Sequence, residues 1–310
     1  MSPLKNTAFT TSAPRNFDFV SFPKEVNTQY ITDINNRKGE FSGTIQLEMT
    51  AVDNIYCGSG NVGFDKNDGL TTSTLIEGEK CIIPGSSIKG AVRQVARAIS
   101  DGCIKGTEKG LYIKKEQRYE CNLKDPKKNR YVDNICIICD MFGMMSLSSK
   151  IAVSDFVSEK YELVKCDMPD LFTPNINSSY YKEDNVHLGY KFYYTRCDDR
   201  SSLPHNNVVY AVKKGTVFEG EVRFKYLDKK ELNLLMYSLG IIKDDFSHKI
   251  GGYRADGFGT VNFFCKGFVL NSEMKSPKDA LHFAGEYPDN ASDECYYRIE
   301  KLCEIMKYKG

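Results

Sequence analysis

The sequence predicts an α+β fold, and three observations carry that prediction. Residues 41–52 set Phe41, Gly43, Ile45, Leu47 and Met49 against polar neighbours, the period of a half-buried strand. A second short apolar strand, 80–84, turns at Pro84-Gly85 into a helix on which Ile88, Ala91, Val92, Val95, Ala96 and Ile99 recur at helical spacing. Towards the C-terminus come alternation over 208–226, a helix opened by Asp228, a glycine-rich loop and a last strand to Leu270. Strand, helix, strands, helix, strand is a βαββαβ order. It predicts a ferredoxin-like or RRM-like sheet with helices on one face, carrying long loops and a cysteine-rich insertion.

Residues 1–40 are polar and form an N-terminal extension, with Phe17, Phe19 and Val20 as its apolar anchor. The core domain spans 41–270, with the insertion at 102–143, and a helical extension follows at 271–310. Between 53 and 79 the chain is rich in Gly, Asn, Asp and Thr, which marks a long loop or hairpin. Ser86 or Ser87 is the expected N-cap of the first helix. Lys89, Arg93 and Arg97 lie at i, i+4 and i+8 and form one basic stripe on it. A helix N-terminus offers free N–H groups, so Gly85-Ser86-Ser87 beside Lys89 also reads as a phosphate cradle.

The insertion has little apolar periodicity. From Cys103 to Cys139 it holds nine Lys/Arg against five acids, a local charge of +4 inside a chain whose net charge is only +1. Cys103, Cys121, Cys136 and Cys139 are spaced C-x17-C-x14-C-x2-C. The terminal C-x2-C has the spacing of a knuckle in which two thiolates meet one Zn²⁺, and a core-poor segment needs such a staple. His187 or His205 is an alternative fourth ligand.

After the insertion, 151–155 reads as a strand ending in the structural acid Asp155, and 161–185 as irregular chain. The stretch 186–195 is aromatic and basic, with Tyr190 and Tyr194 as candidates for stacking on bases. Val208 to Tyr226 reads as one or two strands broken at Gly215. Asp228 and Glu231 form a capping box for the second core helix. Four glycines within 251–259 permit close backbone approach to a ligand. Residues 290–307 read as a closing helix.

The 310 residues, 41% hydrophobic and 27% charged, suffice to bury a core as one elaborated domain or two small ones. No leader-like segment and no apolar run of membrane-spanning length is present, so the expectation is a cytoplasmic protein without a membrane partner. Eleven cysteines in that setting point to reduced thiols or a metal site.

The run Pro84-Gly85-Ser86-Ser87-Ile88-Lys89-Gly90-Ala91-Val92-Arg93 closely resembles a signature of the RAMP superfamily, the RNA-binding subunits of CRISPR effector complexes. Three further words stand in the expected order. Cys136-Ile-Ile-Cys139-Asp-Met-Phe142-Gly143 resembles the knuckle of type III relatives. Gly189-Tyr190-Lys191-Phe192-Tyr193 resembles a type III-D-like word, and 251–259 resembles the glycine-rich loop that contacts RNA.

The resemblance implies a backbone-type subunit of a type III complex, of type III-D-like kind, antiviral in role. Its partners are a guide RNA, a target RNA and other subunits of the complex. It places phosphate contacts at Ser86, Ser87, Lys89, Arg93, Gly252, Arg254 and Gly257. It supports a structural Zn on Cys103, Cys121, Cys136 and Cys139. In cleaving relatives an acid lies shortly before the strand leading into Pro-Gly-Ser-Ser. Of Asp53, Asp65 and Asp68, this makes Asp68 the first and Asp65 the second candidate for metal-dependent endoribonuclease action on target RNA, with Mg or another divalent ion. The family's Asp-x-Pro-Val wording is absent here, and Asn67-Asp68-Gly69 is equally a turn. Two alternatives stand beside this reading: a non-cleaving cap or scaffold subunit, and a guide-processing endoribonuclease.

Overall fold

The computed structural model describes residues 16–31, 37, 39–66, 69–104, 121, 133–145, 147–169, 181–183, 186–195 and 205–308. The α+β class holds. The main sheet runs in the order His248–Lys249, Thr260–Leu270, Phe41–Ala51, Val217–Leu227, Phe156–Ser158, Lys80–Ile83, Ile76–Glu77. Ile151–Val153 also pairs with Val217–Leu227. Counted along the chain, the four core strands are 41–51, 151–158, 217–227 and 260–270. They lie side by side in the order 4-1-3-2, each antiparallel to its neighbour.

Alternation built this sheet. Ile45, Leu47, Met49 and Ala51 are buried on one face, and Phe218, Val222 and Phe224 join them across the register Phe218↔Met49 and Val222↔Ile45. Over that face lie helix α1, Gly85–Ala98, and helix α3, Lys229–Ser238, which contact each other. In α1 the residues Ile88, Val92, Val95, Ala96 and Ile99 are buried as the spacing predicts, whereas Ala91 is only half-buried. Asp228 caps α3 as expected: its carboxylate accepts from Glu231 N at 2.8 Å, and Glu231 accepts from Asp228 N at 3.0 Å.

Four sequence expectations change. The N-cap of α1 is Pro84, and no side chain of its own turn caps it. Asp155 does this work from the neighbouring strand, accepting from Gly85 N at 2.7 Å, where an acid is favoured by the helix dipole. Gly85 allows that approach, since a Cβ there would meet the Val153 and Ser154 carbonyls. Secondly, the stretch 161–185 is not wholly irregular, because Leu163–Pro169 is a strand. It lies at the edge of a four-stranded sheet, with Val164, Cys166 and Met168 more covered than Lys165 and Asp167 between them, an alternation that Pro169 cuts short.

Thirdly, residues 53–79 take the hairpin alternative, with strands Gly58–Asp65 and Gly69–Thr74 in that same second sheet. Fourthly, the closing segment holds two helices, α4 (Pro277–Asp289) and α5 (Asp293–Met306). Asp279 accepts from Ser276 N at 2.8 Å to open α4 behind a proline at its start.

Both chain ends are tied to the core. Phe17–Val20 pairs with Tyr190–Tyr193, and Thr28–Ile31 pairs with Asp133–Cys136. Arg298 of α5, with no exposed surface, bonds Asp101 and Glu294, and Tyr287 donates to Ile99 O at 2.9 Å. Thus the end of α1 is clamped by the last two helices.

Candidate functional site

A cleft of about 550 Å³ opens between α1 and the glycine-rich loop. On one wall stand Pro84, Ser87, Gly90, Ala91 and Gln94; on the other, Lys249, Gly251, Gly252 and Arg254; Cys57 and Gly58, at the base of the hairpin, close one end. The loop's shape follows from its glycines. Gly251, at φ +85°, lies so close to Tyr56 that a Cβ would strike the Tyr56 carbonyl, and Gly252 N donates to that carbonyl at 2.8 Å. Tyr253, at φ 52°, precedes a single 3-10 turn, Arg254–Asp256. Asn16 Nδ2 donates to Ala255 O at 2.8 Å and so ties the N-terminal segment to the loop.

Of the seven expected RNA contacts, Ser87, Gly252 and Arg254 line this cleft. Ser86 is exposed on the same first turn of α1, and Gly257 lies in the loop with open space around its Cα. Lys89 and Arg93 lie outside its lining. Lys89 Nζ donates to Ile151 O at 2.8 Å, and burial lowers its pKa. Arg93 donates to Gly143 O at 2.9 Å. The amide cradle is largely used within the fold: Gly85 N serves Asp155, Ser87 N serves Pro84 O, and Gly252 N serves Tyr56 O.

Sequence reasoning missed Gly90, Gln94 and Lys249 as lining residues. The signal was present for the first two. Ser87, Gly90, Ala91 and Gln94 recur at three- and four-residue steps and form a small, polar helix face. Lys249 shows only in three dimensions. Its side chain is nearly buried, its Nζ donates to Phe258 O at 3.1 Å, and it lies 3.8 Å from Asp53 Oδ2.

The aromatic strand borders the same region. Gln94 donates to Lys191 O at 2.9 Å, and Arg254 lies 5.1 Å from the Tyr193 ring. Tyr190 turns inward instead: its ring packs on Phe22 at 4.8 Å and its hydroxyl is buried, so it offers no face to a base. Tyr194 is half-buried and donates to Asp18 at 3.3 Å. His187 packs among Phe19, Phe22 and Tyr181. His282 sits on the surface beside Glu286.

His248 lies beneath the loop, fully buried, with Nε2 donating to Ser238 O at 3.0 Å. Burial lowers its pKa to about 4 from 6.5. The folded ring stays neutral while the unfolded ring takes a proton at its ordinary pKa, so the unfolded state binds more protons between those values. Its contribution is complete above pH 6.5 and lost as pH falls towards 4, in total about 3 kcal/mol. Denaturant titrations of wild type and His248→Gln from pH 7.5 to 4.5 should show a shallower acid slope in the variant; parallel slopes would contradict the assignment.

The four expected metal ligands meet. The sulfurs of Cys103, Cys121, Cys136 and Cys139 all lie within 4.8 Å of one another, with Cys103 and Cys139 at 3.5 Å. Tetrahedral coordination with Zn–S near 2.3 Å sets sulfurs about 3.8 Å apart, so the group fits a metal ion such as zinc. Of the chain between Cys103 and Cys136, residues 105–120 and 122–132 lie outside the described residues. Cys136 ends the strand Asp133–Cys136 and caps helix α2, Ile137–Phe142, on whose first turn Cys139 stands. No histidine is needed as a fourth ligand.

Asp140 anchors α2 to the core. It accepts from Arg37 at 2.7 Å and from Lys150 at 2.6 Å, and Lys150 continues to Glu231 at 2.8 Å. Burial pushes the Glu231 carboxyl up to about 8.

The candidate acids fall elsewhere. Asp65 ends the hairpin strand Gly58–Asp65, and Asp68 lies outside the described residues. Strand rise puts Asp65 roughly 20 Å from the cleft-lining Gly58 at the other end of that strand. Asp53 lies under the glycine-rich loop beside Lys249, and its Oδ2 is buried without a hydrogen-bond partner. Among the described residues no other group of three or more ligating side chains converges.

These arrangements define a mixed α+β protein with a loop-and-helix cleft and a four-thiol knuckle. The sequence model of the RAMP superfamily matches residues 48–262, well over half of the chain. The chain belongs to the RAMP superfamily, which points to a CRISPR-associated, RNA-binding function. No curated protein matches it. Among the described residues, no helix is long and apolar enough to cross a membrane.

Proposed function

We propose that this chain is a backbone-type subunit of a type III CRISPR effector complex, of type III-D-like kind, that holds the guide RNA in the cleft between α1 and the glycine-rich loop. The cleft carries this reading. It joins the superfamily's helix word to its glycine-rich loop and places Ser87, Gln94, Lys249 and Arg254 around a groove with little side-chain bulk at Gly90, Gly251 and Gly252. The 4-1-3-2 antiparallel order with helices on one face supports a ferredoxin-like, RRM-like core. Binding through such a groove is sequence-tolerant and salt-sensitive. The metal in this reading is zinc, structural, with all four positions taken by thiolates. The partners are target RNA and other subunits of the complex, in the cytoplasm.

Target cleavage belongs to Asp68, or to Asp65 at the end of the strand Gly58–Asp65. A positioned carboxylate or a divalent ion it holds can help the RNA's own 2′-hydroxyl attack in line. Guide processing is disfavoured, because the described histidine side chains are buried, packed among aromatics or on the outer surface of α4.

The test has two parts. Arg254→Ala should weaken binding of unrelated RNAs alike, about three- to tenfold, and lower the salt slope by about one. An unchanged affinity across the salt titration would remove Arg254 and the cleft from the reading. Mg²⁺-dependent cutting of guide-paired RNA is then compared for wild type, Asp65→Ala and Asp68→Ala, with binding measured in parallel. Loss of cutting with retained binding in Asp68→Ala supports the assignment, and cutting at the wild-type rate refutes it. A wild type that binds and never cuts is a scaffold subunit.

A further inference from the structure

Helix α1 faces two sites. Its Ser87–Gln94 side lines the cleft, while Arg93 reaches the helix of the four-thiol knuckle and Arg97 follows one turn on. Arg93 donates to Gly143 O at 2.9 Å, the carbonyl closing the helix that carries Cys139. The Arg93 Nε is nevertheless buried with no hydrogen-bond partner. The same is true of Arg97 Nε one turn further on, and of the Tyr190 hydroxyl. Three unpartnered buried donors are costly, and native proteins rarely keep them without an acceptor.

A zinc ion held by four thiolates supplies what is missing. Four thiolate charges exceed the two of the ion, so the centre keeps two excess negative charges on its sulfurs. Burial lowers the Arg93 pKa and Arg97 adds to this, while Cys139, Cys103 and Cys136 act in the opposite sense, as negative charges beside a guanidinium must. Tyr190 is coupled electrostatically to Arg97, Cys103 and Cys136.

We infer that Arg93 and Arg97 are positioning residues of the zinc centre, neutralising its excess charge, with the Tyr190 hydroxyl as a third outer donor. Arg93 then serves the metal in place of the phosphate contact suggested by its position in the basic stripe. The inference rests on the zinc reading. It also makes α1 a shared element: filling the knuckle fixes the flank beside the cleft.

The test measures zinc affinity by competition with a chromophoric chelator, and the Co²⁺-substituted protein's thiolate-to-metal charge-transfer band. Outer-shell partners of metal ligands are typically worth ten- to a hundredfold in affinity. Arg93→Met should lower zinc affinity about tenfold and shift the Co²⁺ band. Arg93→Met with Arg97→Met should lower it further, and Arg93→Lys should recover part of the loss. Tyr190→Phe, nearly isosteric, should give a smaller loss.

Lys89→Met is the control, since Lys89 shares the stripe but bonds Ile151 O. An equal loss in Lys89→Met would show general damage to α1 and overturn the assignment. So would zinc competition and Co²⁺ spectra identical between wild type and the double variant. A wild type that binds no zinc would instead overturn the metal reading and this inference with it.

Discussion

Replacing Cys136 by serine is expected to cost the protein on the order of 3 kcal/mol or more and to lower its Tm by roughly 6–12 °C. Cys136 is fully buried, ends the strand that pairs with Thr28–Ile31, and starts the knuckle helix α2. Its sulfur sits with those of Cys103, Cys121 and Cys139. Structural zinc in small domains contributes about 10–16 kcal/mol of binding free energy that is also folding free energy, so losing one of four ligands removes a large share. The insertion has few apolar groups with which to compensate. Metal analysis of the untreated protein should return about one equivalent of zinc, the stoichiometry of a closed four-ligand site. Thermal melts of wild type, Cys136→Ser and chelator-treated wild type should place the last two close together. A chelated protein that melts with the untreated one would remove zinc from the fold.

Filling the cleft without disturbing the fold should abolish most RNA binding. Gly90 allows this, because it stands on an exposed helix face and a Cβ built there meets nothing within 4 Å. Gly90→Leu should therefore stabilise α1 by about 0.5–1 kcal/mol through helix propensity. The same side chain projects between α1 and the glycine-rich loop, where it should reduce RNA affinity at least about tenfold, or 1.4 kcal/mol. Gly285→Leu on α4 is the matched control, again with nothing within 4 Å of the added Cβ and far from the cleft lining. Filter binding and urea denaturation on the same preparations separate the two effects. Wild-type affinity in Gly90→Leu would place the RNA elsewhere.

Much of the site was legible because its parts are local words. A capping box needs only Asp228 and Glu231, three residues apart, and a thiol knuckle announces itself through Cys136 and Cys139. The buried face of α1 followed from spacing alone. Pairing across long separations was not legible. Nothing near Asp155 says that its carboxylate caps a helix begun seventy residues earlier. Leu163–Pro169 alternates only over Val164, Cys166 and Met168, and its place is set by pairing with His205–Val212, some forty residues on.

By itself, then, the sequence determined the core strands and helices, the four thiols that gather, and the two words that border one cleft. Local periodicity and ligand spacing are properties of neighbouring residues and survive without tertiary context. Only the tertiary structure decided where each side chain of one helix points. Gly90 lies 100° round the helix from Lys89 and faces the open cleft, while Lys89 and Arg93 share one stripe a turn apart and reach Ile151 O and Gly143 O. The basic stripe read as one surface is divided because separate partners pack against its flanks, and those partners come from distant parts of the chain.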